Sequence, residues 1–189
     1  FLDDEGNGYT TDNFGRMIRC EAGGGRLRAL NSQLPHAPFR RGEHNIMFQA
    51  VPHPRTGRIY GATYDVDARL FCYDPKRDVM RDLGTGYGRQ YIPDILSGPY
   101  PGGLVFGPDG CLYYVICERD WDGPGTRRGH LIRYDTERET AEDLGVFAVG
   151  GAVYSGRSCH GKADRAGNLY FAENSATPPR FAIYRAGKR

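Results

Sequence analysis

Gly102-Gly103-Leu104-Val105-Phe106-Gly107-Pro108-Asp109-Gly110-Cys111-Leu112-Tyr113-Tyr114-Val115-Ile116 decides how the rest of the chain is read. An apolar run, a Gly-Pro-Asp-Gly turn and a second apolar run spell a β-hairpin. The pattern recurs from Gln49-Ala50-Val51-Pro52 to Thr56-Gly57-Arg58-Ile59-Tyr60, and from His160-Gly161-Lys162-Ala163-Asp164 to Gly167-Asn168-Leu169-Tyr170. Its second half opens the chain as Asp4-Glu5-Gly6-Asn7-Gly8-Tyr9.

The turn glycines Gly6, Gly57, Gly110 and Gly167 are spaced by 51, 53 and 57 residues. Met17-Ile18-Arg19-Cys20, Leu70-Phe71-Cys72-Tyr73, Leu131-Ile132-Arg133-Tyr134 and Ala182-Ile183-Tyr184-Arg185 follow the four hairpins as third strands. Ala29-Leu30, Asp82-Leu83-Gly84 and Asp143-Leu144-Gly145 mark fourth strands in three units. Four strands per unit at this period are the signature of a β-propeller blade. The units run over about 1–40, 41–97, 98–150 and 151–189, a single all-β propeller domain or the C-terminal half of one. In Leu112-Tyr113-Tyr114-Val115-Ile116 both alternating faces are apolar, so both faces of that sheet must be covered. Blades packed face to face do this without helices, whereas a two-layer sandwich shows cleaner alternation. Tyr73-Asp74 and Tyr134-Asp135 each precede a tight turn, which the Asp is expected to cap.

A chain of 189 residues suffices for one domain with a core. Twenty-seven glycines, twelve prolines and thirteen tyrosines indicate a turn-rich β protein. Net charge is +2, from 25 basic and 23 acidic residues interleaved, which excludes a dedicated nucleic-acid or membrane surface. No apolar run approaches the ~18 residues of a membrane span, and no secretory signal is visible. Because the first residue is Phe1 rather than Met, a processed or truncated N-terminus is expected, with a periplasmic or extracellular setting favoured. The five cysteines show no metal spacing. Cys111 and Cys117 fall on one strand face roughly 20 Å apart, too far for a disulfide, and read as free thiols.

The first unit begins at Phe1-Leu2 without most of a first strand, and the last ends at Lys188-Arg189 before a fourth. Unpaired edges need partners. The expectation is about 3.5 to 4 blades of a six- to eight-bladed ring, completed by missing blades or a second copy, with a closed four-bladed ring as the alternative.

The phrases Gly103-Leu104-Val105-Phe106-Gly107-Pro108-Asp109-Gly110-Cys111-Leu112-Tyr113 and Leu131-Ile132-Arg133-Tyr134-Asp135 to Glu142-Asp143-Leu144-Gly145 resemble blades of bacterial propellers. That set includes the gluconolactonase-like propellers and the seven-bladed polysaccharide lyases acting on ulvan or rhamnose–glucuronate chains. The resemblance spans the whole chain and specifies scaffold rather than chemistry.

Propellers bind ligands at one end of the channel, where first strands begin and second strands end. His160, aligned with Gln49 and Gly103 and preceded by Arg157, is placed to hold a carboxylate or move a proton. Folding at Pro54-Arg55-Thr56 brings His44 and Tyr64 opposite one another at the same rim. His160, His44, Tyr64 and Arg157 are thus the catalytic candidates. His, Tyr and Arg are the toolkit of uronate lyases: Arg or His neutralises the carboxylate while Tyr or His moves protons. Gln49, Glu118, Arg119, Trp121, Glu173 and Asn174 are candidate substrate contacts. Trp121 sits on the long loop Glu118 to Gly129 and offers a platform for a sugar ring. The acidic residues of that loop could take a divalent cation, as gluconolactonase-like propellers do, although nothing in the spacing requires a metal. His53 and His130 read as surface residues, and His36 falls in a connector. The resulting expectation is a lyase acting on acidic carbohydrate at the channel mouth. A non-catalytic binding or scaffolding propeller and a metal-dependent lactonase are the alternatives.

Overall fold

The computed structural model describes residues 1–35, 45–64, 69–85, 102–119, 127–153, 158–173 and 178–185. Among these the regular structure is all β-strand, and no helix long and apolar enough to cross a membrane occurs. The chain divides into two compact units, Phe1–Thr85 and Gly86–Arg189.

In the first unit β1 (Gly8–Thr11), β2 (Arg16–Cys20) and β3 (Leu27–Gln33) form one antiparallel meander. The strands β4 (Ile46–Pro52), β5 (Ile59–Tyr64), β6 (Leu70–Asp74) and β7 (Val79–Asp82) form a second, four-stranded one. Before β1, Leu2 bridges Gly8, and the Tyr9 N–H donates to the Phe1 carbonyl at 2.8 Å. The second unit repeats the plan. Its first sheet runs through β8 (Gly102–Phe106), β9 (Leu112–Arg119), β10 (Arg127–Asp135) and β11 (Thr140–Val146). A two-residue ladder of β12 (Ala148–Val149) and β13 (Ala152–Val153) follows. The sheet of β14 (Ser158–Ala163), β15 (Asn168–Glu173) and β16 (Arg180–Arg185) ends the unit.

Strand register makes the four sheets superimposable on paper. Gly8, Ile59, Leu112 and Leu169 pair with Cys20, Tyr73, Tyr134 and Tyr184. Tyr9, Tyr60, Tyr113 and Tyr170 therefore share one position of the second strand. Met17, Leu70, Leu131 and Phe181 share one position of the third. The sequence ruler that begins the last third strand at Ala182 is thus one residue late. Strand faces alternate, so a one-residue offset exchanges the side chains assigned to each face. Ala182 is buried and Phe181 exposed, as the corrected register requires.

Each unit has a core between its two sheets. Tyr9, Met17 and Leu34 of the first sheet pack with Ile59, Phe71 and Tyr73 of the second. In the second unit Val105, Cys111, Tyr113, Val115 and Leu131 pack with Leu169, Phe171 and Ala182. In both cases the face bearing the shared Tyr meets the opposite face of the following sheet. The Tyr-bearing face is called outward here, and the other inward.

The turn closing each first hairpin is built from its own residues. Gly6, Gly57, Gly110 and Gly167 sit at φ of 82°, 68°, 76° and 83°, the left-handed region where glycine costs least. Asp164 accepts hydrogen bonds from the Asn168 side chain at 2.7 Å, the Tyr170 hydroxyl at 2.7 Å and the Asn168 N–H at 2.8 Å. These donors hold its carboxyl down at about 2. Asp3 receives the same set from Asn7 and Tyr9. Burial and the Asp3 carboxylate push the Tyr9 hydroxyl up to about 12. In the third hairpin Gly107 occupies the Asp position, and a β-carbon there would crowd Tyr113 and Asp109. The carboxylate comes instead from Asp109, which accepts from the Tyr113 hydroxyl at 3.0 Å and Arg133 Nε at 2.9 Å.

The turns after the third strands follow expectation. Asp74 accepts from the N–H groups of Lys76 and Arg77, and Asp135 from those of Glu137 and Arg138. Asp78 and Glu139 complete these turns at φ of 52° and 56°.

Candidate functional site

The ends of the hairpins opposite these turns hold the candidate residues. Each first strand carries an irregularity there. Register slips between Met47 and Gln49, between Gly102 and Val105, and between Ser158 and His160. One extra residue on a strand bends it and re-aims the side chains beside it. Gln49, opposite Ala62, and His160, opposite Ala172, are the first regularly paired residues past the slip. The sequence alignment of these two positions is therefore correct in register, but Gly103 is not their counterpart: the slip in β8 lies nearer the turn, and Gly102 pairs with Val115, the equivalent of Ala62 and Ala172.

His160 is exposed and lies on the outward face, in a row with Ala172 and Phe181. Glu173 stands at the same end of β15 but on the inward face, where it is buried and pairs in register with Ser158 and Arg180. The two candidates thus share an end of the sheet and occupy opposite sides of it. Next to His160, Gly161 packs against the preceding first strand so tightly that a β-carbon would collide with the Gly103 carbonyl oxygen. Two first strands meet backbone to backbone at this point, directly behind the candidate histidine.

Glu118 and Arg119 end β9, and their backbones pair with Arg128 and Arg127 of β10. Arg157, Trp121 and Asn174, and the acidic residues Asp120 and Asp122, lie outside the described residues. Among those described, no group of three His, Cys, Asp or Glu is arranged to hold a metal ion.

In the first unit Tyr64 ends β5, exposed, with its ring centroid 5.7 Å from that of Phe48. It pairs with Ile46. His44 lies outside the described residues, as do His36, Asp65 and Asp67. Gln49 and Tyr64 belong to one hairpin end, as the sequence indicates.

Two histidines expected at the surface are buried. His53 takes the place of Asp3 and Asp164 in its hairpin turn. Its Nδ1 accepts the Arg55 N–H at 3.1 Å, and its ring lies 6.1 Å from that of Tyr60. His130 sits in a strand-to-strand clasp, with Nδ1 2.9 and 3.0 Å from the two Asp143 oxygens. The equivalent position of the first unit holds Arg69, whose Nε donates to both Asp82 oxygens at 2.9 and 3.0 Å. Arg16 and Arg180 occupy the same position in the other two sheets. This recurring base at the third-strand start is visible in sequence only once the register is known. Cys20, Cys72 and Cys111 are free thiols, and burial followed by the Asp109 charge pushes the Cys111 thiol to about 11. A thiol with so high a pKa is inert at neutral pH.

No protein-family model matches the chain, and no curated protein matches it. Among solved structures it is similar to the extracellular domain of a hybrid two-component system from B. thetaiotaomicron. Identity is 10% and the TM-score 0.64, over 100% of this chain and 21% of that one. The chain thus spans about a fifth of that structure's length. It is also similar to virginiamycin B lyase from Staphylococcus aureus, 13% identical with a TM-score of 0.44 over 100% of this chain and 69% of that one. The likeness to the first is one of fold: sheets of three or four antiparallel strands repeated as propeller blades.

Proposed function

We propose that the chain belongs to a carbohydrate-active propeller, a lyase acting on uronic-acid-containing chains at the blade ends where first strands begin. The observation that carries this reading is His160, exposed and set immediately past a strand irregularity at that end. A neutral imidazole there can take the proton α to a uronate carboxylate. As the C5–H bond breaks, its electron pair forms the C4–C5 double bond and the C4–O bond to the leaving sugar is cleaved, with the departing oxygen taking a proton from the imidazolium or from Tyr64. A guanidinium paired with the carboxylate stabilises the charge that develops on it. Arg157, three residues before His160, and Arg119 at the end of β9 are assigned that task. Glu118 and Asn174 contact substrate hydroxyls, and Trp121 stacks on a ring face, whereas buried Glu173 lies on the other side of the sheet from His160. Gln49 holds the position of His160 in the second blade, and His44 and Tyr64 are assigned proton transfer to and from substrate. Any divalent cation is assigned to the acidic loop after β9.

The test is incubation of the chain with ulvan, polygalacturonate and rhamnose–glucuronate oligosaccharides, followed by the ultraviolet absorbance of the unsaturated product. Turnover that falls by about a hundredfold or more in His160→Ala is expected. Turnover of an acidic glycan that survives this change shows that the site is elsewhere. Loss of turnover on chelation favours the metal-dependent lactonase reading. A second reading has its own support: the row beside His160 is Ala172 and Phe181, a surface suited to stacking on sugars rather than to proton transfer. Under that reading the same glycans bind without turnover, and His160→Ala weakens binding alone.

A further inference from the structure

We propose that Arg19 and Arg28 form a binding site for an oxyanion, of the sulfate, phosphate or carboxylate class, on the outward face of the first sheet. The site shares no residue with the one around His160 and does not rest on the proposed lyase activity.

The row of side chains that begins with the shared Tyr shows what sets this sheet apart. In the third sheet Tyr113 is followed across the strands by Arg133 and Glu142. In the second sheet Tyr60 is followed by Cys72 and Arg81. In the first sheet the row is Tyr9, Arg19 and Arg28. Residues directly opposite on antiparallel strands hold their β-carbons about 4.5–5.5 Å apart, where like charges repel. The third sheet avoids this by surrounding its base with acids. Arg133 Nε donates to Asp109 at 2.9 Å, and its Nη1 lies 3.5 Å from Glu142.

Arg19 lacks both of those partners. Arg28 stands where the third sheet has Glu142. Asp3, the turn carboxylate, is already taken by the N–H groups of Glu5 and Asn7, the Asn7 side chain and the Tyr9 hydroxyl. Asp78, which the second sheet brings to β3, accepts from the Asn31 N–H and the Tyr73 hydroxyl. Among the described residues, the ion pair left to Arg19 is a 3.8 Å contact with exposed Glu5. Its Nε is buried without an acceptor. Arg28 is exposed and has no acid partner among the described residues. The Arg19 side chain keeps 33% of its surface open. Two neighbouring guanidiniums present planar sets of N–H donors that match the oxygens of an anion. An oxyanion between them takes the part that Glu142 plays in the third sheet and turns a repulsion into two charge-assisted pairs. The face that carries this row is the one on which the second sheet packs, within the same compact unit.

Equilibrium dialysis of the intact chain against radiolabelled sulfate, with ionic strength held constant by chloride, tests this. A saturable site is expected, from which phosphate displaces the sulfate. Arg28→Glu rebuilds the row of the third sheet. It is expected to weaken sulfate binding about tenfold or more and, in sulfate-free buffer, to melt no lower than the parent. Arg28→Gln removes one guanidinium without adding an acid and is expected to weaken binding several fold. Displacement of the sulfate by a galacturonate trimer at lower concentrations than phosphate assigns the site to a carboxylate carried on a glycan. Displacement by phosphate but not by the trimer assigns it to a free ion. Absence of saturable sulfate binding overturns the proposal, as does binding left unchanged by Arg28→Glu or Arg28→Gln.

Discussion

Single residues hold the hairpin turns, and their protons report it. Hydrogen bonds from Asn168 and Tyr170 keep the folded Asp164 carboxyl at about 2, against about 3.9 for an unfolded aspartate. Between those values the unfolded chain binds the extra proton. Stability from this turn is therefore full above pH ~4 and is lost as pH falls towards 2. Asp3, Asp78 and Asp109 shift in the same direction: burial opposes ionisation in each, but hydrogen-bond donors outweigh it. Denaturant midpoints measured from pH 7 to pH 2 should fall below pH 4, and Asp164→Asn should flatten that fall. Gly161 is a second point of leverage. Gly161→Ala drives a β-carbon into the Gly103 carbonyl and is expected to cost on the order of 2–3 kcal/mol. Gly25→Ala has nothing within 4 Å and should change stability by less than about 0.5 kcal/mol.

At the level of the strand pair, the base at the third-strand start clamps the fourth strand. His130 fills for Asp143 the position that Arg69 fills for Asp82. His130→Arg should therefore melt within about 1 kcal/mol of the parent, while His130→Ala, which leaves Asp143 without this partner, should lose about 2 kcal/mol. These clasps explain which features were legible in the amino-acid sequence. The turn glycines were readable because a left-handed turn is dictated by a few adjacent residues. The burial of His130 was not, because its carboxylate lies thirteen residues away across the sheet. The burial of His53 is hidden in the sequence for a similar reason, since its role as a turn acceptor is evident only beside the Asp position of the other hairpins. The alignment of His160 with Gln49 was readable from the hairpin repeat. That Glu173 points to the other face of the sheet depends on register, which the irregular first strand conceals.

For the molecule as a whole, whether the last sheet repeats the other three rests on the register of β16. An offset of one residue would make Phe181 core and Ala182 surface, and would replace Phe181 in the row beside His160 and Ala172. Phe171→Ala, in the core under either register, should cost about 3–5 kcal/mol and serves as the scale. The most direct measurement is chemical denaturation of Ala182→Asp and Phe181→Asp side by side. The expected result is that Ala182→Asp unfolds the second unit or costs about 3 kcal/mol or more, while Phe181→Asp leaves its stability nearly unchanged. A stable Ala182→Asp beside an unfolded Phe181→Asp would contradict the register and the faces built on it.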